Sequence, residues 1–327
     1  MKFEPLVEAE IKEIKDDNII SKIINGDLDY IKNYFKKNPK HITYKLKYNQ
    51  DLLSLSIDAN QKQIFDWLLA NGVKIVSNKN GFTAMHQSIY NNDTYYLKEL
   101  IKYGGNINKK TKKTPSPIVL LLEEIMNRKY KEPYLPIFKE LIKCGADLSV
   151  DLNGENIFIN IVKHGIDVSF VKVMVDADKT LLKEKVKTYN GNHNMLDISL
   201  LNFNGDLVVY FMEQGVEIVS YIDAIIRFIT NTVHTDAAMK LYNTLSDKFK
   251  ENITIEEMLY RDNGKEKMFK LLEKGIKIFP SFIKNHRVIA IADELLATDR
   301  ASELHTLGIE NNVEAFMPQD VKDIFLF

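Results

Sequence analysis

Seven histidines (His41, His86, His164, His193, His234, His286 and His305) and one cysteine, Cys144, are the residues of this chain best suited to metal or nucleophilic chemistry. No two histidines stand four apart, so the two-histidine helical zinc site of a metalloprotease is excluded. A single cysteine closes no internal disulfide and supplies no multi-cysteine zinc or redox motif. Cys144 sits in a helix-ending turn that recurs elsewhere with other residues, which makes it a spacer more than a nucleophile. Gly264-Lys265 lacks the earlier glycine and the following Ser or Thr of a phosphate-binding loop, and no Gly-x-Ser-x-Gly elbow occurs. In the adjacent pairs Glu123-Glu124 and Glu256-Glu257 the carboxylates splay to different sides of a helix, so neither pair reads as an acid/base dyad. Catalytic residues, metal and cofactor are all expected to be none, and the chain is expected not to be an enzyme.

What remains is binding chemistry. Lys109-Lys110-Thr111-Lys112-Lys113 gathers four cations just ahead of Thr114-Pro115-Ser116-Pro117, as a solvated turn or a basic spot for an acidic partner. It has no interleaved aromatics and no arginine fork, so nucleic acid is not the expected partner. Overall charge agrees: 44 basic residues against 45 acidic ones leave a net charge of -1. Between the helices of one segment, residues 127–136 carry Pro133 and Pro136, which forbid a continuous helix and predict a protruding loop.

The elements that must position these residues form a repeat. Asp51-Leu52-Leu53-Ser54-Leu55-Ser56-Ile57 aligns with Thr83-Ala84-Met85-His86-Gln87-Ser88-Ile89, and the alignment runs on without a gap to place Gly72 on Gly104, a period of 32. Each unit reads as a short apolar helix, a polar turn, a second helix and a terminal glycine. In the second helix Ile64, Trp67 and Leu68 stand at i, i+3 and i+4, as do Leu97, Leu100 and Ile101, predicting one apolar stripe per helix. Two such short helices cannot bury their stripes alone and must stack on further units. The same ending recurs at Gly145, Gly215 and Gly275, and Gly26 lies 34 residues before Asn60, its counterpart in the next unit. Degenerate units are expected around 153–186 and 221–252.

This pattern resembles the ankyrin repeat. Asn80-Gly81-Phe82-Thr83-Ala84-Met85-His86, followed by Leu100-Ile101-Lys102-Tyr103-Gly104-Gly105-Asn106-Ile107-Asn108, is similar to the family's turn, its Thr-Pro-Leu-His-like start and its Gly-rich ending. Cys144-Gly145-Ala146-Asp147-Leu148 and Asp151-Leu152-Asn153-Gly154-Glu155 are similar to its Gly-Ala-Asp and Asp-x-x-Gly segments. The resemblance implies an all-α, ankyrin-type solenoid of eight or nine helix-turn-helix units with short β-turn fingers. The expected divisions are a lead-in at 1–16, the best-matched repeats at 17–150, degenerate repeats at 151–310 and a capping segment at 311–327. In that last segment, residues 317–325 faintly resemble the opening of an F-box, but only eleven residues remain from Met317, too few for that domain.

The family's use implies a protein partner bound through finger tips and the concave face of the inner helices. Transferred position by position, the partner-binding residues are Lys47, Tyr48, Gln50 and Asp58 in the second unit, and Lys79, Asn80, Phe82, Tyr90 and Asn91 in the third. The fourth contributes Lys112, Lys113, Glu123 and Glu124; the fifth contributes Leu152, Asn153, Glu155, Lys163 and His164. Tyr48, Phe82 and Tyr90 are the expected aromatic anchors, unless they pack on a neighbouring unit instead. His86 occupies the family's structural histidine position. Lys- and Asn-rich arrays without a catalytic domain resemble those of viruses, phages and intracellular bacteria, implying a host-directed inhibitor or effector. A housekeeping scaffold and a small-ligand or nucleotide sensor are the alternatives. The N-terminus shows no secretory pattern, and the apolar run at 118–122 falls far short of the about 20 residues of a membrane span. No membrane association is expected, and the expected location is the cytoplasm of its own or a host cell.

Overall fold

The computed structural model describes Ile14 and residues 18–46, 51–78, 80–127, 132–188, 191–219 and 222–250, together with Lys274 and Ile276. The chain divides into two units, Met1–Asp178 and Lys179–Phe327. The first contains five helical pairs: α1 (Asn18–Ile24) with α2 (Leu28–Lys37), α3 (Leu52–Asp58) with α4 (Lys62–Ala70), α5 (Ala84–Tyr90) with α6 (Thr94–Lys102), α7 (Pro117–Asn127) with α8 (Leu135–Lys143), and α9 (Ile157–Lys163) with α10 (Val168–Ala177). First helices pack on first helices from α1 through α3, α5 and α7 to α9, while α2 packs on α4, and α8 on both α6 and α10. This is the stacked helix-pair solenoid expected of an ankyrin-type array.

The helices begin where a short polar side chain takes up an orphan amide. Asp27 accepts from the Tyr30 N–H, Asp51 from Ser54, Asp93 from Tyr95 and Asn156 from Phe158. The outer helices α4, α6 and α8 stop at glycine. At Gly72 (φ 85°) the Val73 N–H bonds back to the Leu68 carbonyl at 3.1 Å and the Gly72 N–H to Leu69 at 3.1 Å, and Gly104, at φ 83°, repeats the arrangement. That double closure requires the left-handed conformation, which is why the period is marked by glycine.

Ile64, Leu68, Leu97 and Leu100 of the expected stripe are buried, and the stripe widens to take in Phe65 and Tyr96, whereas Trp67 and Ile101 are half-buried. Phe65 of α4 meets Tyr96 of α6 edge-on at 4.9 Å, and Trp67 instead lies beside Phe35 at 5.8 Å.

Fingers project between pairs. That of residues 78–82 is tied to the next by the Thr114 hydroxyl, which donates to the Asn80 carbonyl at 2.5 Å. Asn108 bridges onward, accepting from the Asp147 N–H at 2.8 Å and donating to the Gly145 carbonyl at 3.0 Å. The following finger is a hairpin of β1 (Asp151–Leu152) and β2 (Glu155–Asn156). The described part of the segment 127–136 does not protrude as expected. A 3-10 turn over Glu132–Tyr134 buries Tyr134, the Pro133 carbonyl accepts from Asn92 at 2.9 Å, and Pro136 sits in the first turn of α8, where it forfeits no helical hydrogen bond.

In the second unit, the hairpin of β3 (Lys185–Thr188) and β4 (Gly191–Asn194) leads into α11 (Met195–Leu201) and α12 (Gly205–Glu213). The pair α13 (Ile222–Asn231) and α14 (Thr235–Thr244) packs on them, α13 on α11 and α14 on α12, before a short α15 (Asp247–Lys250). Helices thus continue through 222–244, where no terminal glycine marks a repeat. The lead-in at 1–16 apart from Ile14, the capping segment at 311–327, and 251–310 apart from Lys274 and Ile276 lie outside the described residues.

Candidate partner-binding face

The first helices α3, α5, α7 and α9 are buried along most of their length, and in the third and fourth pairs Gln87, Tyr90, Glu123 and Glu124 are among the positions that keep side chains partly or largely exposed. Phe82 leads into α5 and Tyr90 ends it; their rings stack at 5.6 Å with 22° between planes, and Phe82 lies in turn on His86 at 5.2 Å. Phe82 is half-buried by this stack, whereas Tyr90 is 44% exposed. Phe82 thus packs within its own unit, on His86 and Tyr90, and not on a neighbouring one.

Glu123 and Glu124 of α7 stand beside Tyr90. Burial, then the charges of Glu124 and Glu123, push the Tyr90 phenol above its usual range. Burial, then Glu124, holds the Glu123 carboxyl above the ordinary carboxylate value. The expected splay therefore does not separate the two acids electrically.

On the other flank, Gln87 joins two expected residues. Its side-chain amide donates to Asp58 at 3.2 Å and to Asn91 at 3.0 Å, while Asn91 donates to the Ile57 carbonyl at 2.9 Å. Gln87 was not among the expected positions, yet it stands three residues before Tyr90 and four before Asn91, the spacing of one helical face. Further along, Lys163 pairs with Glu155, and His164 bonds the Asn160 carbonyl through Nδ1 at 2.9 Å. Asn80, Lys112, Lys113 and Asn153 are exposed on fingers.

Leu152 is a correction: it is 3% exposed, because its place in the β1–β2 hairpin turns it inward while Asp151 faces out. Lys47, Tyr48, Gln50 and Lys79 lie outside the described residues. Asp58, Phe82, Tyr90, Asn91, Glu123 and Glu124 thus lie on or next to three consecutive inner helices, α3, α5 and α7, whereas Glu155, Lys163 and His164 form a separate polar group.

Burial, then the charge of Glu140, pushes the Cys144 thiol pKa up. Among the described residues no three His, Cys, Asp or Glu side chains gather as a metal site, and no helix is long and apolar enough to cross a membrane.

Residues 80–112 match the family model described as ankyrin repeat. No curated protein matches the chain. Among solved structures, the chain is similar to the ankyrin repeat domain of Bcl-3, described as a unique member of the IkappaB protein family. That match has 16% identity and a TM-score of 0.49, over 62% of this chain and 88% of that one.

Proposed function

This chain is an ankyrin-repeat protein, and we propose that it is a non-enzymatic scaffold that holds a partner protein against its inner-helix face and finger tips. Ankyrin repeats generally mediate protein–protein interaction. The observation that carries the reading here is Tyr90, a large aromatic side chain left 44% exposed although its ring is already backed by Phe82. A fixed, half-exposed aromatic brings contact area to a complex at small entropic cost. The bound protein is blocked, sequestered or recruited by occupancy, with no bond made or broken. Its host-directed form, an inhibitor or effector in the cytoplasm, is supported by the likeness of Lys- and Asn-rich arrays to those of viruses, phages and intracellular bacteria.

Affinity capture with the full chain, beside a Phe82→Ala/Tyr90→Ala variant, tests this. Lysates of the source cell and of its host serve as input, and mass spectrometry reads the result. A stoichiometric protein lost with the variant supports the reading and shows whose protein it is. Equal capture by both forms removes the face from the mechanism.

A further inference from the structure

Five Asn-Gly pairs lie wholly within the described residues: Asn25-Gly26, Asn71-Gly72, Asn80-Gly81, Asn153-Gly154 and Asn204-Gly205. Such a pair can rearrange without an enzyme. The glycine amide nitrogen, having given up its proton, attacks the side-chain carbonyl carbon of the asparagine; a cyclic succinimide closes and ammonia leaves, carrying the proton. Water then opens the ring at one carbonyl or the other, leaving aspartate or isoaspartate. Glycine permits the attack because no side chain screens its nitrogen.

The fold opposes this reaction at four of the pairs. The N–H groups of Gly26, Gly72 and Gly81 donate to the carbonyls of Ile23 at 3.1 Å, Leu69 at 3.1 Å and Asn78 at 2.9 Å, and a bonded amide gives up its proton less readily. The Asn71 side chain is also held, donating to the Trp67 carbonyl at 2.7 Å. Gly205 is buried, and Asn204 caps α12 by accepting from the Leu207 N–H at 3.1 Å. Asn153-Gly154 differs on each count. It is the two-residue loop between the paired Leu152 and Glu155, with φ 54° and 81°, the left-handed pair of a tight hairpin turn. Both residues are exposed, and among the described residues neither the Gly154 N–H nor the Asn153 side chain has a hydrogen-bond partner. A Cβ built on Gly154 would meet nothing within 4 Å, so no neighbour crowds the loop from that side.

We propose that Asn153 is a self-modification site, deamidating through Gly154 in the folded protein and turning a neutral finger tip anionic. The chemistry stands independently of the partner-binding reading, but it alters a finger that reading uses. The new carboxylate joins the exposed Asp151 and Glu155, which pairs with Lys163, on one hairpin, and the finger then disfavours an acidic surface. Both ends of the loop are fixed, because the Asn160 side-chain amide donates to the Leu152 carbonyl at 3.0 Å and to the Glu155 carbonyl at 3.1 Å. Aspartate fits between those ends unchanged. Isoaspartate lengthens the backbone between them by one carbon and strains a turn that has room for two residues.

The test is incubation of the full chain at about pH 8 and about 37 °C, followed by peptide mass mapping over days. The peptide containing Asn153 is expected to gain about 1 Da, at least about tenfold faster than those containing Asn25, Asn71, Asn80 or Asn204. In urea the five rates are expected to converge, since the protection of the other four is structural. Asn153→Gly, which suits the left-handed φ, is expected to melt with wild type and to lose the fast mass gain. The isoaspartate product is expected to melt below Asn153→Asp. Reaction at Asn153 no faster than at the other four pairs in the folded chain, or only in urea, would overturn the proposal, as would a fast mass gain that persists in Asn153→Gly.

Discussion

His86 Nε2 donates to the Pro115 carbonyl, 3.0 Å away, and in doing so fastens the inner helix of one repeat to the finger of the next. The other ring nitrogen, Nδ1, accepts from the Thr83 N–H at 3.1 Å and from the Thr83 hydroxyl at 2.8 Å, so the imidazole is used on both sides while fully buried. Replacing it by Ala leaves two backbone groups without partners. His86→Ala is expected to cost about 2–3 kcal/mol in urea unfolding.

The same ring makes stability depend on mild acid. Burial disfavours the charged ring and holds the His86 pKa below its usual 6.5, against the smaller opposing pull of the Pro115 carbonyl. The folded value is the lower one, so the contribution is fully present above 6.5 and is lost as pH falls through 6.5 and the folded value. A series of unfolding curves from about pH 8 to about pH 5 should show wild type losing stability more steeply than His86→Gln. Parallel slopes would place the acid sensitivity elsewhere.

At the alkaline end the outer helices take over. The Tyr95 hydroxyl donates to Asp66 at 2.6 Å and that of Tyr96 to Asn60 at 3.0 Å, each reaching back to the preceding repeat. The Asp66 bond, then burial, raises Tyr95 well above its usual range, and burial pushes Tyr96 up to about 12. Both folded values exceed 10.0, so this stability is intact below pH 10 and is lost as pH rises through the folded values. Spectrophotometric titration should find two tyrosines that ionise only as the helices melt. Tyr95→Phe and Tyr96→Phe should each remove one from that group.

These ties mark where the sequence was legible. Gly72, Gly104 and His86 carry their geometry in their identity, since few residues accept a left-handed turn or offer both a donor and an acceptor on one ring. In the second unit the same task falls to Asp197, buried at the position matching His86. Its carboxylate accepts from the Asn194 N–H at 3.0 Å and from the Val219 N–H at 3.2 Å. An acceptor-only side chain must take an amide where His86 gives to a carbonyl, so the finger it binds is approached by the opposite backbone group. No residue-type pattern predicts that exchange. Phe65 outranked Trp67 in the core because the stripe follows the neighbouring helix rather than an ideal spacing. At the candidate face, Phe82 and Tyr90 stood out as exposed aromatics in the repeat, whereas Gln87 read as one more solvated polar side chain.

Phe203 holds a conformation that suits other residues better. It has φ 54° in the turn between α11 and α12, where the corresponding turns use Gly26 (φ 74°), Asn60 (φ 54°), Asn92 (φ 50°) and Gly165 (φ 57°). A bulky side chain there costs about 1–2 kcal/mol, and Phe203 recovers little of this by packing because it is 38% exposed. Phe203→Asn is therefore expected to stabilise by about 1 kcal/mol, a rise of a few degrees in the melting temperature. A fall would mean that the exposed ring buries more than it strains.

Gly205 is required for a different reason, since its backbone carries no left-handed strain. It opens α12 from a buried position, and a Cβ built on it would lie 2.4 Å from the Cβ of His234 and 2.5 Å from its Cγ. The His234 Cβ is fixed by its backbone, so a rotamer change can move the Cγ but cannot clear the 2.4 Å contact. The turn itself must move, against the Thr232 hydroxyl that bonds the His234 N–H at 3.1 Å. Gly205→Ala is expected to destabilise the second unit by about 1–3 kcal/mol, the range for overpacking a tight contact. A double-mutant cycle with His234→Gly separates this clash from the general effect of altering a helix start. With the His234 side chain gone, Gly205→Ala should cost nothing and could gain slightly from reduced unfolded-state freedom. A cost that persists in the His234→Gly background would assign the requirement for glycine to the α12 backbone and not to the approach of α14.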